Sequence, residues 1–249
     1  MEKIAVRLGE ISGGKILDIA TGKGEFVHLL ASTLKNFTEI IGIDTSDFML
    51  ELAKKNLSDN RIKFINMDAK NLQFADQNFN IVSISNSLHH FNNLKEIMDE
   101  MKRILKPDGF FIVNEMYCDE DQSEAQKNHI SLHHWCSEID TRQGIIHKRT
   151  YTRNQIKKIL QETDLKDVEI YDYTFPMENS HDPEIITRLW ETIDKYIEKI
   201  STHPDYLALK QQGELLKENL NLVGFAPASI LLIIARKSKG RFSWLKRKH

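Results

Sequence analysis

The feature that most narrows the fold is an alternation running through the first half of the chain. Five apolar runs have strand length: "KILDIA" (15–20), "TEIIGID" (38–44), "RIKFINMD" (61–68), "FNIVSISNS" (79–87) and "FFIVNE" (110–115). Segments with helical spacing lie between most of them. Residues 25–35 place Phe26, Val27, Leu29, Leu30 and Leu34 on one face. After Ser46, Met49, Leu52, Ala53 and Leu57 do the same. A further helix carries Leu94, Ile97, Met98, Met101, Ile104 and Leu105, and "KPDG" (106–109) stops it. Strands apolar on both faces, alternating with helices, predict an α/β fold with a parallel sheet covered on both sides.

The second half is less regular. Residues 117–150 read as polar and irregular with some helix. Thr152 and Gln155 suggest a capping box for a helix through Ile156, Ile159 and Leu160. "KDVEIYDYTF" (166–175) and "PASILLIIARK" (227–237) read as strands. Between them lie two helical patterns. Asp182-Pro183 opens the first, whose apolar face is Ile185, Ile186, Leu189, Trp190, Ile193, Ile197 and Ile200. Leu207, Leu215, Leu216 and Leu220 mark the second.

Composition bounds the partners. The 249 residues suit one large α/β domain. A formal net charge of −2 gives no global nucleic-acid footprint, although the tail "RKSKGRFSWLKRKH" is basic throughout. No apolar run approaches the roughly 20 residues of a membrane-spanning helix. The acids in "MEKIAVRLGEISGG" do not fit a signal peptide, and Cys118 and Cys136 suit a reducing compartment, so the expected location is the cytoplasm.

The loop "ILDIATGKGEF" (16–26) follows the first strand, where open parallel sheets bind ligands. Its Gly22 and Gly24 permit a sharp turn and close approach of a ligand. It is not a phosphate loop, because Gly22-Lys23 is followed by Gly24 rather than Ser or Thr. The third glycine of a dinucleotide fingerprint is replaced by Val27, and Glu25 puts a negative charge where a pyrophosphate would dock. The strand ends are acidic. Asp18 lies on the first strand. Asp44 ends the second, placed to accept hydrogen bonds from both hydroxyls of a ribose. Asp68 ends the third, followed by the small Ala69 that leaves room for an adenine. Such a site favours a positively charged adenosine ligand without phosphates, and S-adenosylmethionine is one.

The ordered stretches "ILDIATGKGEF", "IGIDTSDFML", "FINMDAKNLQF", "FNIVSISNSLHHF" and "ILKPDGFFIVNE" resemble the motifs of class I S-adenosylmethionine-dependent methyltransferases. The form "DIATGKG" is similar to that of the ubiquinone/menaquinone-biosynthesis and related small-molecule enzymes. The resemblance implies a Rossmann-like sheet of seven strands with helices on both faces. "PASILLIIARK" would be the last, antiparallel strand, and a helical cap would be inserted near the C-terminus. Residues 1–249 would form a single methyltransferase domain, with 1–115 as the cofactor-binding half. Residues 117–150 and 180–222 would cover the substrate, and 238–249 would be a basic tail.

The resemblance also implies roles for single residues. Thr21, Gly22 and Gly24 would lie against the methionyl part of the cofactor, with Asp18 shaping their loop. Asp44 would hold the ribose, with Thr45 and Met49 beside the adenosine. Asp68 and Ala69 would meet the adenine edge, and Asn86 would face the cofactor from the fourth strand. The expected reaction is in-line transfer of a methyl group to a small-molecule acceptor. The alternatives are a cofactor-binding module or subunit without catalysis of its own, or an RNA or protein methyltransferase, for which the basic tail is the only support.

Methyl transfer asks for alignment more than for acid–base chemistry. His89 and His90 follow the fourth strand near the expected methyl position and are the catalytic candidates. As a general base, His90 would give a limb in the pH–rate profile near the unperturbed imidazole value of about 6.5. Further along, "NHISLHHWC" holds His129, His133, His134 and Cys136. The His133/Cys136 spacing would place two ligands on one helical turn, but no second paired motif accompanies it, so no metal is assigned. Trp135 and these histidines would instead line a lid or an aromatic acceptor pocket.

Overall fold

The computed structural model describes residues 2–238. A short helix α1 (Glu2–Gly9) leads into β1 (Lys15–Ile19), α2 (Glu25–Thr33), β2 (Glu39–Asp44), α3 (Asp47–Asn56), β3 (Ile62–Asn66) and β4 (Phe79–Ser85). A single 3-10 turn (Leu88–His90) precedes α4 (Leu94–Ile104) and β5 (Leu105–Met116). Then come α5 (Glu124–Arg142), α6 (Arg153–Gln161), β6 (Leu165–Tyr173), α7 (Pro183–Lys199), α8 (Tyr206–Val223) and β7 (Ile230–Lys237).

The seven strands form one sheet in the order β3-β2-β1-β4-β5-β7-β6. The pairs β1–β2, β2–β3, β1–β4 and β4–β5 are parallel, whereas β7 runs antiparallel to both β5 and β6. This is the architecture expected from the sequence. The strand order reverses between β1 and β4, so their carboxyl ends open a crevice between chains that diverge to opposite sides.

Each face of the sheet has its own core. On one side Ile97, Met98 and Met101 of α4, with Ile156 and Leu160 of α6, pack on Leu17, Val82, Phe111 and Val113. On the other, Ile4 and Leu8 of α1, with Phe26, Val27 and Leu30 of α2, pack on Ile16, Ile40, Ile81 and Ile112. A third core lies outside the sheet, where Leu132, Trp135 and Ile139 of α5 meet Ile186, Ile193 and Ile197 of α7 and Leu209, Leu216 and Leu220 of α8. Residues 180–222 are therefore helical and off the sheet, as expected.

Several details differ from the sequence reading. Residues 124–142 form a regular helix of 19 residues, longer and more ordered than anticipated. Its sequence is hard to read because Asn128, Ser137 and Asp140 are buried alongside its apolar residues. The legible signal was the Ser123/Gln126 capping box, in which each side chain bonds the other's backbone. The "KPDG" turn lies within β5 rather than before it. Leu105 pairs with Phe79 and Phe110 with Ile81, so the extra residues bulge out, with Asp108 at φ 58°. On α3 the buried residues are Leu50 and Ala53, while Met49 faces outward. On α8, Leu207 and Leu215 are exposed and Leu209 is buried instead. The basic tail lies almost wholly outside the described residues.

Candidate active site

The crevice at the strand ends holds a cavity of about 410 Å³. It is lined by Ala20, Gly22, Asp44, Thr45, Met49, Met67, Asp68, Ala69, Ser87, His90, Phe91 and Ile146. Six of the ten expected cofactor residues are in that wall: Gly22, Asp44, Thr45, Met49, Asp68 and Ala69. No lysine or arginine lines it, so its fixed charge is that of two carboxylates.

Asp44 organises the site. Its Oδ2 accepts a hydrogen bond from Gly22 N at 2.9 Å, and its Oδ1 accepts one from Ser46 N at 2.9 Å. One carboxylate thus ties the glycine loop to the start of α3. Each oxygen keeps further acceptor capacity for a ligand. Ser46 in turn caps α3 by accepting from Met49 N. Asp68 accepts from Lys70 N at 2.9 Å, which fixes it at the rim beside the buried Ala69.

The two loop glycines have different reasons. Gly22 sits at φ 52°, and a Cβ built there would meet nothing within 4 Å. Its missing side chain leaves open space at the cavity. Gly24, at φ 85°, caps α2; a Cβ there would press on Leu57 at 3.1 Å and on Ala53 and Phe64 at 3.3 Å. It serves packing of α2 against α3 and β3, and does not line the cavity.

Asp18 and Asn86 also sit differently from expectation. Asp18 is buried beneath the loop, and its Oδ1 accepts from the Ser83 hydroxyl at 2.7 Å rather than from loop N–H groups. Burial, with the nearby Asp44 charge adding to it, raises its pKa to about 6. Its Oδ2 and the neighbouring Thr21 Oγ1 are both buried without a hydrogen-bond partner. Asp44 holds the loop through Gly22 N, while Asp18 meets it through the Thr21 side chain. Asn86 has φ 44°, and its side-chain oxygen accepts from Met116 N at 2.8 Å. It locks the end of β4 to β5 and is not part of the cavity wall.

The two histidines of the 3-10 turn diverge. His90 lines the cavity, with Nδ1 3.4 Å from the Ile146 carbonyl. Burial, then the neighbouring His89 and His147, lower its pKa to about 4. A pH–rate limb from His90 therefore belongs near 4 and not near 6.5. His89 is 1% exposed, with Nδ1 2.7 Å from Glu115 Oε1, and does not reach the cavity wall. Sequence reasoning missed Glu115, Ile146, His147 and Phe91. Of these, Ile146 and His147 come from a loop that no local motif marks.

This wall, built from the carboxyl ends of four parallel strands around the reversal in strand order, is accompanied by a clear family match. Residues 11–164, more than half of the chain, fit the model of a methyltransferase domain. The chain belongs to the class I methyltransferase family. Among curated relatives, the demethylmenaquinone methyltransferase of Thermotoga maritima is 36% identical over 107 residues, covering 43% of this chain and 45% of that one. The chain thus spans less than half the length of that relative. In solved structures, the YcgJ protein of Bacillus subtilis is similar to this chain with a TM-score of 0.62 at 19% identity, over 96% of this chain and 98% of that one. The phosphoethanolamine N-methyltransferase 2 of Haemonchus contortus, solved with phosphomonomethylethanolamine and S-adenosylhomocysteine, matches with a TM-score of 0.54 at 19% identity, over 95% of this chain and 52% of that one. At these identities the structural matches establish the fold.

A second, larger cleft of about 1370 Å³ lies on the other side of His147. α5 contributes Ile130, His134 and Glu138, the following loop Lys148 and Arg149, and α8 Gln212, Leu215 and Asn219. Trp135 touches it too, yet its indole is buried in the α5–α7–α8 core and donates to the Leu209 carbonyl at 3.0 Å. Among the described residues, His129, His133, His134 and Cys136 do not form one ligand set. His129 accepts from Ala228 N, and Cys136 packs among the apolar helices with its thiol pushed up to about 12 by burial.

Proposed function

We propose that the chain transfers a methyl group from S-adenosylmethionine to a small-molecule acceptor. The observation that carries this reading is the acidic cavity, lined by Asp44 and Asp68 and by no lysine or arginine. Three features fit the cofactor. Gly22 leaves space where a side chain would stand. Asp44 and Asp68 suit hydroxyl and amino donors and oppose pyrophosphate. The buried Asp18 carboxyl and Thr21 hydroxyl lie next to the glycine loop and add polar character beneath it. When bound, the cofactor supplies an electrophilic methyl group on a sulfonium.

The protein's own work is then positioning. Asp44 would hold the ribose hydroxyls, Met49 and Ala69 would flank the adenine, and Asp68 would accept its amino proton. Phe91 and Ile146 would help exclude water from the space that remains. Of the two histidines, His90 is the one placed to touch an acceptor. With its pKa near 4 it is neutral at pH 7 and a weak base, so it would orient an acceptor rather than deprotonate it. Alignment alone can lower the barrier by roughly 7–11 kcal/mol.

Residues 117–150 would form the nearer substrate cover, since Ile146 lines the cofactor cavity. The helices of 180–222 border only the larger cleft, which would admit the acceptor. The relatives' names point to quinol-like acceptors. The test is turnover of S-adenosylmethionine to S-adenosylhomocysteine with a panel of phenols and quinols, set against bulk RNA. Turnover with a member of the panel is the expected result. Turnover with RNA alone would overturn the small-molecule reading, and none with any acceptor would favour a binding module.

A further inference from the structure

Four imidazoles converge between the two cavities although they come from three separate parts of the chain. His89 and His90 stand on the 3-10 turn, His133 on α5, and His147 on the loop after it. One ring nitrogen from each of His89, His90 and His147 lies within 4.8 Å of the other two. His133 Nε2 is 3.3 Å from His147 Nε2.

We propose that His89, His90, His133 and His147 form a binding site for one divalent first-row transition cation, with Zn²⁺ the best fit. The site shares His90 with the cofactor cavity, but the proposal does not depend on methyl transfer.

Four observations support it. The first is spacing. Zinc–imidazole bonds are about 2.0–2.1 Å, so two nitrogens on a tetrahedral ion stand roughly 3.4 Å apart. The His133–His147 separation of 3.3 Å is close to that value, and the nitrogens of His89, His90 and His147, within 4.8 Å of one another, would draw in on binding. The second is orientation. His89 Nδ1 is held by Glu115 Oε1 at 2.7 Å, and His147 Nδ1 by Asp140 Oδ2 at 2.8 Å. His90 Nδ1 faces the Ile146 carbonyl at 3.4 Å. Carboxylates and carbonyls on Nδ1 fix the tautomer that leaves Nε2 as a free lone pair, which is the outer-shell pattern of histidine-bound metals.

The third observation is an unmet need. His89 Nε2 and His133 Nδ1 are buried without partners, and His89 is 1% exposed. Leaving a buried ring nitrogen unpaired costs stability. A hydrogen-bonded chain from His133 Nε2 through His147 to Asp140 leaves both of these atoms orphaned, and a cation on His89 Nε2 would satisfy that one. The fourth is charge. Glu115 and Asp140 supply negative charge behind the rings, partly offset at Asp140 by Lys199. An all-imidazole set with no thiolate suits zinc, copper, iron or nickel rather than magnesium or calcium.

The test uses the full chain, dialysed against a chelator and with no S-adenosylmethionine present. Titration with Zn²⁺ alone should show one equivalent bound and a raised Tm. Co²⁺ should give the intense absorption of a tetrahedral nitrogen site. His147→Ala should abolish stoichiometric binding. Glu115→Gln and Asp140→Asn should weaken it by about 10–100-fold. His181→Ala, on the exposed segment before α7, should change nothing. Absence of saturable binding to the wild-type chain, a weak octahedral Co²⁺ spectrum, or undiminished binding to a folded His147→Ala would each overturn the proposal. If His147→Ala does not fold, the wild-type stoichiometry, the Co²⁺ spectrum and the Glu115→Gln affinity decide it.

Discussion

The strand-end crevice and the helical layer beside it are built on opposite plans. In the crevice, function rests largely on backbone and on residues next to strand ends. Gly22, Asp44, Thr45, Asp68 and Ala69 are each placed by the strand that precedes them, and one carboxylate, Asp44, orders two loops. In the helical layer, α5, α7 and α8 bury one another, and the polar cluster at its edge draws on residues far apart in sequence. A site of the first kind is encoded locally and tolerates change elsewhere. A site of the second kind exists only once the tertiary structure has closed around it.

The largest expected effect asks whether the two regions are energetically separate. Ile193 is fully buried in the helical layer, so Ile193→Ala should cost about 2–5 kcal/mol of stability. Affinity of the folded fraction for S-adenosylhomocysteine should stay the same. Denaturant titration with and without that ligand checks both, and a matching loss of affinity would join the regions into one unit. Next is Asp44→Ala, which removes a charged acceptor and should weaken S-adenosylhomocysteine binding by roughly 1.5–3 kcal/mol. Unchanged calorimetric affinity in a folded mutant would mean the ribose is held elsewhere.

Smaller effects sharpen the picture within the crevice. Gly24→Ala meets Leu57, Ala53 and Phe64 and should cost about 1–3 kcal/mol of stability. Gly22→Ala meets no neighbour, so only its positive φ is penalised, at roughly 1 kcal/mol. Its methyl group should instead impair cofactor binding. Equal losses of stability in thermal melts would contradict the distinct roles assigned to the two glycines. A further test concerns pH. His90, His129 and His134 are lowered to about 4 and His133 to about 2, chiefly by burial. The unfolded chain, near 6.5, binds more protons than the folded one below that value, so stability should fall as pH drops from about 6.5 towards 4. Asp18, raised to about 6, acts in the opposite sense across about 4 to 6 and blunts the slope. Melts at pH 7 and pH 5 in chelator should differ by about ten degrees or more, the acidic one lower.

The comparison also explains what was legible. The strands of the first half announce themselves because they are apolar on both faces, and the loop chemistry follows at a fixed distance behind each. The antiparallel β7 was readable from its long apolar run. Gly24, Asp18 and Asn86 were assigned to the right neighbourhood, but their duties depend on which atoms pack above them. Packing of Leu57 on Gly24, Ser83 on Asp18 and Met116 N on Asn86 is long-range and leaves no periodic trace. α5 escaped because its buried face is part polar. His147 escaped because a single histidine in a loop carries no signal until His89, His133 and Asp140 surround it.

The central claim is that the cavity around Asp44 accepts S-adenosylmethionine and rejects a dinucleotide. Calorimetric titration of the full chain with S-adenosylhomocysteine, and separately with NAD, tests it most directly. The account predicts saturable one-to-one binding of S-adenosylhomocysteine and no heat of binding from NAD. Affinity for NAD with no response to S-adenosylhomocysteine would contradict it.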